Sequence, residues 1–172
     1  MNMTNFFSEE YDDNIINVIS IDFSYFNSSL LNNMVNIFFG CKTLESINFL
    51  NFDTIHVSNM ANMFYNCSSL ISINLSSFNT INLENMNSMF SGCILLESLD
   101  LFNFNTIKVK DMAKIFEGCR ALKSIDLSNF VTKNTENMNS MFSQIGRASC
   151  RERVYFNTLK VKDMAKIFEG CR

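Results

Sequence analysis

The sequence predicts an α/β solenoid of about five to six 26-residue units, and three observations predict it. Cys41, Cys67, Cys93 and Cys119 fall 26 residues apart. About ten apolar and polar columns keep step with them. Within each unit a stretch of strand-like alternation is followed by a stretch of helix-like spacing. A fixed period of this length is the signature of stacked supersecondary units, each unable to bury its apolar face alone.

The strand comes first in each unit. Leu44-Glu45-Ser46-Ile47-Asn48-Phe49 alternates apolar and polar residues, as a half-buried strand does. Its inward positions recur as Leu44, Leu70, Leu96 and Leu122, then Ile47, Ile73, Leu99 and Ile125, then Phe49, Leu75, Leu101 and Leu127. Phe52, Phe78, Phe104 and Phe130 close the segment. An earlier, weaker unit runs in the same register through Ile21, Phe23, Phe26, Met34, Ile37 and Phe38.

The helical turn is expected next. Asn59, Asn85, Asp111 and Asn137 each precede the methionine column of Met60, Met86, Met112 and Met138. Asn and Asp there accept hydrogen bonds from unpaired backbone N–H groups and open a helix. Met60, Met63 and Phe64 then share one face at helical spacing. Gly40, Asn66, Gly92 and Gly118 follow, residue types that end a helix in the left-handed conformation.

The run F-x-x-C-x-x-L-x-S-I-D-L-S-x-F-x-T-x-x-V-x-x-M-x-x-M-F resembles the repeat of the BspA-like leucine-rich repeat family of surface proteins, over roughly residues 15–143 and again 156–172. The T-x-x-V-x-x-M-x-x-M-F segment is unusual among leucine-rich repeats. The resemblance implies a leucine-rich-repeat-like stack. It also implies adhesion, binding of host or matrix proteins, or contact between cells, and no enzymatic activity. A cell-surface or secreted location is implied by the family alone, because MNMTNFFSEEYDDNIINVIS lacks the basic start and apolar core of a signal peptide.

Residues 144–154 break the pattern. The repeat asks for Gly, Cys, Leu, Ile and Leu where the chain has Gln144, Ile145, Ala148, Arg151 and Arg153. The string resembles a translated sequencing adapter. Phe156 to Arg172 then copies Phe104 to Arg120 at all but one position, 52 residues later, so the phase survives the join. The expected organisation is a cap or tail over 1–14, the stack over 15–143, an artefactual insert over 144–154 and a partial repeat over 155–172. The chain stops after a repeat cysteine without a polar capping unit, and a longer protein is expected.

Composition bounds the function. A net charge of −3, or −5 without the Arg-rich string, argues against nucleic acid. No stretch is long and apolar enough to span a membrane. The cysteine column lacks the close ligand pairs of metal sites and reads as small buried filler. Cys150 belongs to the foreign string. His56 is the single histidine and no nucleophile or orienting group accompanies it. The methionine and phenylalanine columns read as core, and Lys108, Lys110 and Lys114 as a solvated face. Sequons such as Asn27-Ser28-Ser29 and Asn66-Cys67-Ser68 are expected by chance in so Asn- and Ser-rich a chain.

The outward strand positions are the binding candidates. Ser46, Ser72, Ser98 and Ser124 form one polar column, and Asn48, Asn74, Asp100 and Asp126 a second. Such columns serve either to contact a ligand or to solvate the sheet. Asp100 and Asp126 form a carboxylate pair without the further oxygen ligands a cation site needs. The expectation is a non-enzymatic interaction module without cofactor or metal, binding a protein or cell-surface ligand through this face. The alternative is an intracellular scaffold with no surface role.

Overall fold

The computed structural model describes residues 1–8, 18–146, 163 and 165–170. Two strands form where alternation is cleanest: β1 (Ser20–Asp22) and β2 (Ser46–Asn48). They pair in parallel with Ser20 opposite Ser46, Ile21 opposite Ile47 and Asp22 opposite Asn48. In the later units Ser72–Asn74, Ser98–Asp100 and Ser124–Asp126 lack strand pairing. Single links join these rungs at their entry, from Glu97 N–H to Ile71 O and from Lys123 N–H to Glu97 O.

The expected α/β solenoid, with a short helix in every unit, is corrected. Among the described residues there is no helix, and strand is confined to β1 and β2. The segment from Met60 to Asn66 divides its backbone donors two ways. Met60, Asn62, Phe64 and Asn66 donate to the carbonyls of Asn85, Asn87, Met89 and Ser91 in the next unit, at 2.8–2.9 Å. Met63, Tyr65 and Cys67 donate three residues back, to Met60, Asn62 and Phe64. An α-helix instead sends each N–H four residues back. Left-handed backbone enforces the departure: Asn62 has φ 54° and Asn66 φ 57°. One such residue ends a helix, and two of them four positions apart leave no room for one.

The same arrangement repeats in register. Left-handed residues recur at Asn36, Asn62, Ser88, Lys114 and Ser140, and again at Gly40, Asn66, Gly92, Gly118 and Gln144. Parallel bridges connect Asn2, Asn33, Asn59, Asn85, Asp111, Asn137 and Asp163 in succession. Each Asx side chain in that column accepts the N–H two residues on, as Asn59 does from Ala61 at 3.0 Å and Asp111 from Ala113 at 2.9 Å. The expected capping role is therefore present, but it opens a turn. Residues 2–8, within the expected N-terminal cap or tail, add a rung through Met3, Asn5 and Phe7, which donate to Asn33, Val35 and Ile37.

One apolar column after another fills the interior. Leu44, Leu70, Leu96 and Leu122 are buried, as are Met60, Met86, Met112 and Met138. Phe38, Phe64, Phe90, Phe116 and Phe142 stack face to face, with centroids 5.4–6.2 Å apart. Hydroxyls line this interior too. Thr54 Oγ1 donates to Asn79 O at 3.0 Å and accepts Asn79 N–H at 2.8 Å. Thr80 does the same with Asn105, and Thr106 with Val131. One buried hydroxyl thus satisfies both backbone groups of a residue in the next unit.

Of the pattern-breaking string, residues 147–154 lie outside the described residues. Gln144 takes the left-handed position that Gly118 holds one unit earlier, with φ 56°, and donates to Glu169 O at 2.8 Å. Ile145 is buried in the slot of the cysteine column. Most of the copied segment 155–172 is also outside the described residues, but Phe168 stacks on Phe142 at 5.3 Å.

Candidate functional site

The strand segment positions the outward columns by simple alternation. Ile47, Ile73, Leu99 and Ile125 turn inward and are buried. Their neighbours Ser46, Ser72, Ser98 and Ser124 are exposed, as are Asn48, Asn74, Asp100 and Asp126. All eight candidate residues therefore reach solvent on one face. Ser20 and Asp22 of β1 extend both columns by one rung, a continuation the sequence reading did not include.

The second column also has a structural task. Asp22, Asn48, Asn74, Asp100 and Asp126 each accept, through Oδ1, the N–H two residues on, at 2.8–3.0 Å. This bond lets the chain leave the face by a tight turn. It also tunes charge. The backbone N–H of Ser128, then its hydroxyl, hold the Asp126 carboxyl below the usual carboxylate range. Ser24 does the same for Asp22. These carboxylates stay ionised at neutral pH.

A third column, adjacent to the Asx residues, departs from repeat uniformity. It runs Ser24, Leu50, Ser76, Phe102 and Ser128. Leu50 is 60% exposed and Phe102 72%. Between them Ser76 leaves two shallow depressions on the face. One is bounded by Asn48, Leu50, Asn74 and Ser76, the next by Asn74, Ser76, Asp100 and Phe102. No apolar period marks this column, so sequence reasoning passed over it. The signal was two large apolar residues at a position that its neighbours fill with serine.

Other chemistry-bearing residues are placed away from this face or used elsewhere. The thiols of Cys67, Cys93 and Cys119 are buried and donate to Phe38, Phe64 and Phe90 carbonyls at 3.1–3.2 Å. Burial pushes Cys119 up to about 12 and Cys93 well above the ordinary thiol range, so both stay protonated. His56 is exposed. Lys110 pairs with Glu84 at 2.6 Å and Lys108 donates to Asn82, which ties two residues of the basic patch into ladders between units. Among the described residues no group of three or more His, Cys, Asp or Glu side chains is placed to hold a metal ion. No helix among them is long and apolar enough to cross a membrane.

Comparison with known proteins adds a family and one solved structure. No curated protein matches the chain significantly. A leucine-rich repeat protein from Bacteroides ovatus ATCC 8483, known from its crystal structure, is 18% identical, with a TM-score of 0.38. The similarity covers 90% of this chain and 53% of that one, so the chain spans about half the length of its solved relative. Two overlapping stretches, residues 1–101 and 32–153, match a single family, as a repeating unit allows, and the chain belongs to the family described as "Mycoplasma protein of unknown function, DUF285".

Proposed function

We propose that the chain is a non-enzymatic interaction module of a surface or secreted protein, binding a protein or cell-surface ligand through the face carrying Ser46, Asn48, Ser72, Asn74, Ser98, Asp100, Ser124 and Asp126. The observation that carries this reading is the exposed pair Leu50 and Phe102 beside those columns. They stand where Ser24, Ser76 and Ser128 occupy the other units, and so add exposed apolar surface to an otherwise polar face, the mixture a binding surface uses. The rest of the face supplies polar groups in a fixed spacing of about 4.8 Å per rung. The BspA-like resemblance points the same way. The string 144–154 is read as adapter-derived, and resequencing the locus tests that directly.

The function is tested with the full chain immobilised against intact cells and extracellular-matrix proteins. Ser72→Lys with Ser98→Lys, which spares the turn-closing Asn74 and Asp100, should abolish retention while the circular dichroism spectrum is unchanged. Retention that ignores both substitutions contradicts binding through this face. Surface labelling of intact cells tests location, and a signal confined to the cytosol would replace the surface reading with the scaffold one.

A further inference from the structure

We infer that the notch between Leu50 and Phe102 is a saccharide subsite, which takes a neutral, extended pyranose oligosaccharide. The inference rests on the strand-face reading and names the ligand class for it. Three features carry it. The first is shape. Small Ser76 lies between the two large side chains and leaves two adjoining depressions open to solvent, one beside Leu50 and one beside Phe102. Leu50 and Phe102 stand two rungs apart, about 10 Å at the spacing of parallel rungs.

The second feature is the polar wall. Asn74 and Asp100 spend Oδ1 on the N–H groups of Ser76 and Phe102. Asn74 and Asp100 are both exposed on adjacent rungs, and the turn bonds do not use the Asn74 amide donors or the second Asp100 oxygen. A donor beside an anionic acceptor matches vicinal hydroxyls, each of which gives one hydrogen bond and takes another. The third feature is the ring. Phe102 is 72% exposed, so its face is free to stack on the apolar C–H face of a pyranose.

An extended peptide fits less well. Peptides add to sheets through unpaired backbone groups at an edge. Here the outward elements are side chains, and the Ser76 and Phe102 N–H groups are already occupied. The absence of a cation in the wall also argues against anionic sugars, which the Asp100 carboxylate would repel.

The experiment is an NMR titration of the full chain with cellotetraose and with chitotetraose. Shifts confined to Asn74, Ser76, Asp100 and Phe102 with either sugar are expected. Phe102→Ala should weaken binding about tenfold or more, and Asp100→Asn by a smaller factor. Because both side chains are exposed, each variant should keep the parent spectrum elsewhere. No shifts with either sugar at millimolar concentration, or shifts elsewhere on the surface, would overturn the saccharide subsite. That result leaves the strand-face reading intact if Ser72→Lys with Ser98→Lys still abolishes retention on cells or matrix proteins. Loss of sugar binding in Phe102→Ala alongside cell retention that ignores the lysine pair would separate the two in the opposite sense.

Discussion

Replacing Thr80 with valine tests how the interior handles polar backbone. Thr80 is 1% exposed, and its hydroxyl donates to Asn105 O at 3.3 Å and accepts Asn105 N–H at 2.8 Å. Valine keeps the shape but removes both bonds, leaving a donor and an acceptor of the next unit without their partner. An unsatisfied group of this kind costs about 1–3 kcal/mol. Thr80→Ser is the control, since it keeps the hydroxyl and loses one methyl group, worth about 0.8 kcal/mol. Urea unfolding followed by circular dichroism reads the difference. The midpoint for Thr80→Val should fall by roughly 1 M with the slope unchanged, given slopes of about 1–3 kcal/mol/M for small proteins. Thr80→Ser should fall less. A Thr80→Val midpoint at or above the parent, or no lower than that of Thr80→Ser, would refute the claim that these hydroxyls carry the inter-unit link.

Three further outcomes follow from the same geometry. Gly118 has φ 73°, and an added Cβ meets nothing nearer than 3.7 Å, so Gly118→Ala isolates backbone strain. It should cost about 1–2 kcal/mol, while Gly118→Asn should cost less because Asn tolerates this conformation and Asn66 already occupies the equivalent position; chemical denaturation distinguishes them. Leu96→Ala, in a column of fully buried leucines, should cost about 2–5 kcal/mol by the same assay. The buried thiols should resist alkylation at neutral pH until the chain is unfolded. Cys119 is raised from 9.0 to about 12, so its contribution to stability is whole below pH 9 and declines as pH rises toward 12, because the unfolded thiol ionises first. Alkaline titration of the unfolding midpoint, compared with Cys119→Ala, measures this decline.

The register was legible in the sequence because burial is periodic. Leu70, Leu96 and Leu122 are interchangeable only if each occupies the same slot in successive units, and they do. The strand at Ser46–Asn48 was legible from alternation. The helix was not there to be read. Met60, Met63 and Phe64 sit at helical spacing, yet the same side chains are buried by consecutive turns around left-handed Asn62. Length was the neglected warning, since a segment of seven residues is far short of a stable helix. Left-handed positions filled by Ser88, Lys114 and Ser140 carry no residue signature, so that part was hidden.

The candidate face was legible as a surface and only partly as a site. Alternation turns Asn48, Asn74, Asp100 and Asp126 outward, as binding candidates or as solvating groups, and each also closes its own turn. The threonine column was visible in the repeat, but its use appears only when Asn79 and Asn105 are seen placed against Thr54 and Thr80. Phe102 was hidden for a different reason. A single exposed aromatic has no period, and period was the signal being followed.

The account depends on units 26 residues apart lying directly against one another. Ring-proton cross-peaks in a nuclear Overhauser spectrum measure this most directly. Phe64 and Phe90 should show contacts at 5.4 Å centroid separation, Phe90 and Phe116 at 6.2 Å, and Phe64 and Phe116 none. Missing cross-peaks between neighbours in that series, or a Phe64–Phe116 contact, would contradict it.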